Sequence, residues 1–363
     1  MSFFKRLFGG KLSSNSVKKS SCLVELEDVV KVTEDTVKVI FDIPSEEKEN
    51  FTFIPGQYLT MTMVIDGKEE RRSYSICSGI DEPLAVAVKQ VDGGVVSTWM
   101  NNEAKIGDEV TLAYPSGNFK LNDIGGTYVA FAAGSGITPI MAMAKAISIG
   151  KQGSMNLFYG SKSTSGIIFH DELEQLRNEG IQTTYLLSQE KLDGYMSGRL
   201  DQENVAQIIK GNLELLKSDG FYLCGPEEMI YTVKNSLQTF GVPEEKIHFE
   251  LFTAPTIMKS TQKTALSDFN GVSEVTIILD DEHTTFELAS DGDTILNELD
   301  VHGIDAPYSC RGGVCSTCKA KIVEGAATMD NNMSLTDNEI AEGYVLTCQA
   351  HPASEKVVIT YDE

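Results

Sequence analysis

Four cysteines late in the chain are the residues most ready to do chemistry. Cys310 and Cys315 enclose four residues, Cys315 and Cys318 enclose two, and Cys348 follows after 29 more. Thiolates at this spacing are the ligand pattern of a plant-type 2Fe-2S centre. A structural zinc draws on two short Cys-x-x-Cys knuckles or a Cys/His mixture, and only one such knuckle is present. Rieske ligation needs two histidines, and none stands beside this loop. Zinc and inert thiols are the alternatives. Between the first two cysteines, Arg311-Gly312-Gly313-Val314 supplies glycines that let the backbone wrap closely and aim N–H groups at sulfur.

A second candidate is Gly134-Ser135-Gly136-Ile137-Thr138-Pro139, where a β-branched run passes into an Ala/Met-rich helix. Backbone N–H groups at such a turn meet a pyrophosphate. Pro139 stands where a third Gly completes a full fingerprint, so a tight βα turn is the bland alternative. Gly93-Gly94-Val95-Val96-Ser97-Thr98 combines a flexible turn with a Ser suited to cap the next helix, another phosphate-binding geometry. The five histidines are dispersed, so no catalytic His set or dimetal motif is legible.

These residues need elements to hold them. From Cys22 to Asn122, short β-branched runs (Val24–Val32, Thr36–Phe41, Tyr58–Val64, Tyr74–Cys77, Leu84–Val88, Glu109–Ala113) punctuated by Pro-Gly, Asp-Gly and Gly-Gly predict an antiparallel barrel or sandwich. After Gly125-Gly126, strands alternate with helices up to Phe252, which argues for a parallel sheet covered on both faces. A Ser/Thr-rich stretch, 253–272, reads as a linker, and 273–363 as a small α+β domain. Residues 1–21 read as a basic, loosely amphipathic tail without the apolar core of a secretory signal.

Composition narrows the functional classes. The 363 residues carry 53 acidic against 30 basic side chains, a formal charge of −23, which excludes a general nucleic-acid binder. Residues 273–363 hold 18 of those acids and only four bases, a field that would steer a basic partner surface. No run approaches the roughly 20 apolar residues of a membrane span. Seven cysteines, an odd number with a tight subset, suit a reducing, cytoplasmic setting better than disulfides.

The segments Cys310-Arg-Gly-Gly-Val-Cys315-Ser-Thr-Cys318 and Gly343-Tyr-Val-Leu-Thr-Cys348-Gln349 resemble the ferredoxin domain of flavin-dependent ferredoxin-NADP reductase fusions. They are most similar to the branch of that family serving phenylacetyl-coenzyme A epoxidases. The likeness extends over everything after the first 20 residues. It implies an antiparallel β-barrel flavin domain (22–122), an α/β parallel-sheet nucleotide domain (123–252) and a β-grasp-like ferredoxin domain (273–363). Arg72-Ser73-Tyr74-Ser75 matches the family's Arg-x-Tyr-Ser signature, about 15 residues after Pro55-Gly56-Gln57-Tyr58. By resemblance, Arg72 pairs with the flavin pyrophosphate, Tyr74 packs on the isoalloxazine, and Ser75 bonds near its N5. Gly94, Val96 and Ser97 complete the FAD site, and Pro115-Ser116-Gly117-Asn118-Phe119 also fits the family.

The resemblance further assigns Gly134, Gly136 and Thr138 to the nicotinamide dinucleotide. Cys224-Gly225-Pro226 matches a Cys-Gly-Pro motif whose thiol lies beside the reacting nicotinamide. Glu250 and Phe252 match a Glu-x-Phe motif that places an acid and an aromatic beside the flavin. Ser161 and Lys162 end the second strand of this domain, where hydroxyl and cation favour NADPH. Relatives usually have Arg at position 162, and Lys offers only a point charge, so NADH stays open. The implied activity is an oxidoreductase with Ser75, Cys224 and Glu250 at the hydride-transfer centre. Electrons pass from NADPH through FAD and the cluster to an oxygenase, by resemblance a di-iron epoxidase for an aryl-acyl-coenzyme A. Reductases of a Rieske dioxygenase, a steroid hydroxylase or a desaturase share these motifs, and a zinc-binding interaction module is the non-enzymatic alternative.

Overall fold

The computed structural model describes residues 20–253 and 269–362; nearly all of the expected tail (1–19) and the linker core (254–268) lie outside the described residues. Three sheets follow one another along the chain.

The first comprises β1 (Ser21–Thr33), β2 (Thr36–Asp42), β3 (Tyr58–Ile65), β4 (Lys68–Ser75), β5 (Ala85–Lys89) and β6 (Glu109–Ala113), with α1 (Val95–Asn102) before the last strand. The order β4-β3-β6-β1-β2-β5 is antiparallel throughout, and a bridge between Ile76 and Val86 brings the two ends together. Leu59, Met61 and Met63 on β3 alternate inward to join Val39, Val86 and Leu112 in the barrel core. Two expectations are corrected here. The strand expected at Tyr74–Cys77 is the end of β4, whose Lys-Glu-Glu-Arg-Arg opening carries no apolar alternation. The first strand starts at Ser21, inside the expected tail, because Ser21 pairs with Ala113.

The second sheet contains β7 (Thr127–Ala133), β8 (Ser154–Ser161), β9 (Ile181–Leu187), β10 (Met196–Ser197), β11 (Gly220–Cys224) and β12 (Ile247–Glu250). All its pairings are parallel, in the order β10-β9-β8-β7-β11-β12. Helices α2 (Ile137–Gly150), α3 (His170–Leu176), α4 (Gln202–Gly211) and α5 (Glu227–Thr239) form the crossovers. The chain reverses its direction of growth between β7 and β11. Ligands bind such sheets at this switch point, beyond the strands' carboxyl ends.

The barrel and this sheet share one hydrophobic cluster, in which Ala85, Ala87 and Phe119 pack with Ile140, Met143 and Ala144 of α2. Lys145, buried on α2, adds ion pairs to Glu82 at 2.8 Å and Glu172 at 2.7 Å. Shared burial of this kind holds two domains in a fixed relation.

The third sheet joins β13 (Val272–Leu279), β14 (Glu282–Ala289), β15 (Lys319–Glu324), β17 (Tyr344–Leu346) and β19 (Lys356–Thr360), in the order β14-β13-β19-β15-β17. Only β13 and β19 run parallel. Helix α6 (Ile295–Val301) buries Ile295, Leu296 and Leu299 in this domain's core. Strands β16 (Ala327–Met329) and β18 (Ala350–Pro352) form a separate ribbon, and α7 (Asp337–Ala341) completes the domain. The linker's expected end is shortened, since Val272 already pairs with Ala289. No helix among the described residues is long and apolar enough to cross a membrane.

Candidate electron-transfer site

The turn after β7 and the turn after β11 meet at the switch point. A Cβ on Gly136 would land on the carbonyl oxygen of Cys224, so only glycine lets the two turns approach this closely. Gly134, at φ +56°, has nothing within 4 Å of a Cβ and faces open space. A cavity of about 880 Å³ opens there, lined among others by Gly134, Ser161, Lys162, Gly225, Pro226 and Phe252. Those six were expected to face cofactors. Gly136 and Thr138 have other tasks: Gly136 lies under Cys224, and the Thr138 hydroxyl, buried, donates to Ser135 O at 3.0 Å. Arg199 also lines the cavity, and no sequence signal pointed to it. It lies far along the chain from Lys162, in a Ser-Gly-Arg segment without periodicity. Lys162 and Arg199 thus give the cavity two cations.

Parallel pairing sets Cys224 opposite Glu250. Ser75, across from them at the end of β4, donates to Glu250 Oε2 at 3.3 Å. The three residues expected at the hydride-transfer centre are thus neighbours, though Ser75 and Glu250 are 175 positions apart. Burial pushes the Glu250 carboxyl up to about 8, so at neutral pH it carries a proton. Burial, then the neighbouring Glu250 carboxyl, pushes the Cys224 thiol well above its ordinary value. Cys224 is therefore a neutral thiol and no nucleophile.

On the flavin side, α1 begins at Val95 with Gly94 as its N-cap. The expectation that Ser97 caps this helix is corrected: Ser97 sits in the first turn, and its hydroxyl accepts from Val91 N–H at 3.2 Å. With no side-chain cap and no acid in the first turn, the helix start is open to an anion. Val96 turns its side chain into the barrel core, leaving its backbone N–H as the useful group. Arg72 is exposed and donates to Arg71 O at 2.7 Å, whereas Tyr74 packs at the rim of the core. An open helix start and an exposed guanidinium fit a pyrophosphate.

The four late cysteines converge. Cys310 lies near enough to Cys315 and Cys348, and Cys348 to Cys318, for each thiol to shift the ionisation of its neighbours. Among the described residues, no three metal-ligating side chains gather as ligands of a single ion. The Cys310–Cys315 and Cys318–Cys348 pairs match a centre with two metals, and the all-sulfur donor set suits iron. The Cys310 thiol is pushed down, by the neighbouring thiols of Cys315 and Cys348 and by the N–H groups of Gly312 and Val314. Gly313, at φ +74°, takes a left-handed turn against Asn331 O, where a Cβ would come within 2.8 Å.

Side chains from the barrel reach this loop. Tyr58 accepts a bond from Ser316 N–H at 3.1 Å, Thr60 bonds Thr317 at 3.3 Å, and Ser73 donates to Ser309 at 2.8 Å. Asn118 donates to Ser334 O at 2.8 Å, and Ser334 in turn donates to Cys315 O at 2.9 Å. Val314 packs with the nucleotide domain's second apolar cluster. The cysteine loop therefore sits where all three domains meet. The Pro-Gly-Gln-Tyr and Pro-Ser-Gly-Asn segments stand out in the sequence, but nothing there tells that they touch the cluster loop.

Comparison with known proteins agrees with this architecture. Residues 23–121 match the oxidoreductase FAD-binding domain, 131–235 the oxidoreductase NAD-binding domain, and 277–353 the 2Fe-2S iron-sulfur cluster binding domain. The chain is 34% identical over 339 residues to a subunit of the 1,2-phenylacetyl-CoA epoxidase of Escherichia coli (strain K12), covering 91% of this chain and 94% of that one. It is 29% identical to the ferredoxin reductase component of 3-ketosteroid-9-alpha-monooxygenase from Mycobacterium tuberculosis, covering 94% and 96%. The solved phthalate dioxygenase reductase, described as a modular structure for electron transfer from pyridine nucleotides to 2Fe-2S, superimposes with a TM-score of 0.57 at 23% identity, over 94% of this chain and 98% of that one.

Proposed function

The chain belongs to the family of FAD- and NAD-binding reductases joined to a 2Fe-2S ferredoxin domain, and from that premise we propose that it draws electrons from NADPH and delivers them to a phenylacetyl-coenzyme A epoxidase. As an oxidoreductase it serves an oxygenase system. The epoxidase is the acceptor favoured by the 34% identity over almost the full length of both chains. When bound, the flavin turns a hydride into single electrons and the cluster relays them one at a time.

This chain's own residues supply position and protonation. The observation that carries the reading is the convergence of Ser75, Cys224 and Glu250 at the open end of a hairpin that also touches the cysteine loop. Cys224, neutral and fully buried, gives the nicotinamide a dry, uncharged wall. Protonated Glu250 and the Ser75 hydroxyl place an exchangeable proton beside the hydride acceptor. The open start of α1 with Arg72 would hold the flavin pyrophosphate, and Cys310, Cys315, Cys318 and Cys348 would hold the two irons. Lys162 and Arg199 would share a ribose 2′-phosphate, the ground for preferring NADPH over NADH. The acidic excess of the ferredoxin domain suits a basic face on the acceptor, and the thiols, none of them in a disulfide, suit a reducing cytoplasm.

Mixing the purified protein with candidate oxygenases tests the acceptor. NADPH-driven oxygenation of phenylacetyl-coenzyme A by the epoxidase is expected. Turnover only with a Rieske or steroid oxygenase would transfer the assignment to that system.

A further inference from the structure

We propose that the hydroxyls of Ser73 and Thr60 are positioning residues that clamp the cysteine loop against the flavin strand pair, fixing the separation over which single electrons cross. Strand alternation places them. Along β4, Arg72 and Tyr74 lie opposite Met61 and Leu59, whereas Ser73 and Ser75 lie opposite Thr60 and Tyr58. The hairpin thus turns Arg72 and Tyr74 to one side and Ser73 and Ser75 to the other. On that second side Ser75 meets Glu250 and Ser73 meets Ser309, the residue before Cys310. One strand therefore touches both the hydride-transfer centre and the edge of the cluster loop, two residues apart.

The clamp grips the loop on both flanks. Ser309 is held before Cys310, and Thr317 between Cys315 and Cys318. Thr60 also bonds Ser73 at 2.9 Å, tying the two grips into one network. The 2.8 Å contact across 236 positions is a full hydrogen bond and the 3.3 Å contact across 257 positions a longer, weaker one, both between side chains that chain connectivity does not bring together. With both groups bound, each crossing would move one electron from reduced flavin to one ferric iron, and two crossings, with the acceptor emptying the cluster between them, would clear one hydride, its proton going to solvent.

The inference rests on the relay reading and is tested in the holoprotein with Ser73→Ala, Ser309→Ala and the pair as a double-mutant cycle. Hydrogen–deuterium exchange over residues 309–318 reports the clamp without turnover. Rapid mixing with NADPH follows flavin bleaching and cluster reduction separately. Each single variant should raise exchange in the loop and slow cluster reduction about fivefold, the loss expected for one hydrogen bond. The double variant should be no worse than either single one, and Ser309→Ala should leave flavin bleaching unchanged. Additive losses, or raised exchange with an unchanged rate of cluster reduction, would overturn the proposal. If Ser73→Ala loses its flavin, Thr317→Val removes the second grip from the ferredoxin side and is read the same way. An unaltered protein whose cluster never reduces would refute the relay itself, while exchange would still report the clamp.

Discussion

Glu250 shows how far a residue's chemistry depends on where it is put. In the open chain it is an ordinary carboxylic acid at 4.5; buried beside Ser75 it is pushed up to about 8. The folded state then keeps a proton that the unfolded state loses, so this group's contribution to stability falls as pH rises from 4.5 to 8 and is level above that. Glu250→Gln should remove that decline, which thermal melts across the interval will read directly. The same variant should flatten any change in the rate of flavin reduction centred near pH 8. Lys162 and Arg199 belong to the same scale. Each alone offers one cation to a 2′-phosphate, and Lys162→Glu or Arg199→Gln should weaken NADPH about tenfold or more while sparing NADH. Titration of each nucleotide by fluorescence quenching would measure this, and equal losses for both would remove the residue from the phosphate site.

At the scale of elements, the turns following β7 and β11 are each ordinary, and their contact makes the nucleotide site. Gly136→Ala would drive a methyl group into the Cys224 carbonyl, which belongs to a buried strand with no room to retreat. We expect a loss of about 1–3 kcal/mol in stability, the usual range for overpacking, together with weaker nucleotide binding. Chemical denaturation and nucleotide titration would show both. Gly134→Ala is the comparison, since it meets strain from its φ of +56° but no collision. Strand β4 makes a similar point about alternation: one strand sends Arg72 and Tyr74 to one side, and Ser73 and Ser75 to the other.

Across the whole molecule, the labour is divided between bodies of different character. The barrel and the nucleotide sheet share an apolar cluster and the buried Lys145 ion pairs, whereas the barrel's hydrogen bonds to the ferredoxin domain come from side-chain hydroxyls, amides and Arg71. Apolar burial binds the two domains that must jointly hold hydride donor and acceptor. Polar contacts at the cysteine loop exchange with water at lower cost. Cys348→Ala should therefore abolish cytochrome reduction through the cluster and leave NADPH-driven dye reduction at the flavin intact. Parallel loss of both activities would contradict separate stations along one route.

Some of this was readable along the chain because covalent spacing alone carries it. Three of the four thiols, Cys310, Cys315 and Cys318, are held near one another by a short loop, and Arg-Ser-Tyr-Ser sits on one strand, whereas Cys348 is returned to that loop by the pairing of β15 with β17. The alternation of strands and helices after Gly126 likewise announces a parallel sheet. Charge hid the first half of β4, and β10, with only two residues, was too short to leave a period. The meeting of Ser75 with Glu250, the gathering of Arg199 with Lys162, and the grip of Thr60 and Ser73 on the cysteine loop required the folded chain. Local spacing sets which groups a segment can offer; only packing across hundreds of positions, where burial and alternation choose the facing side chains, decides which groups meet.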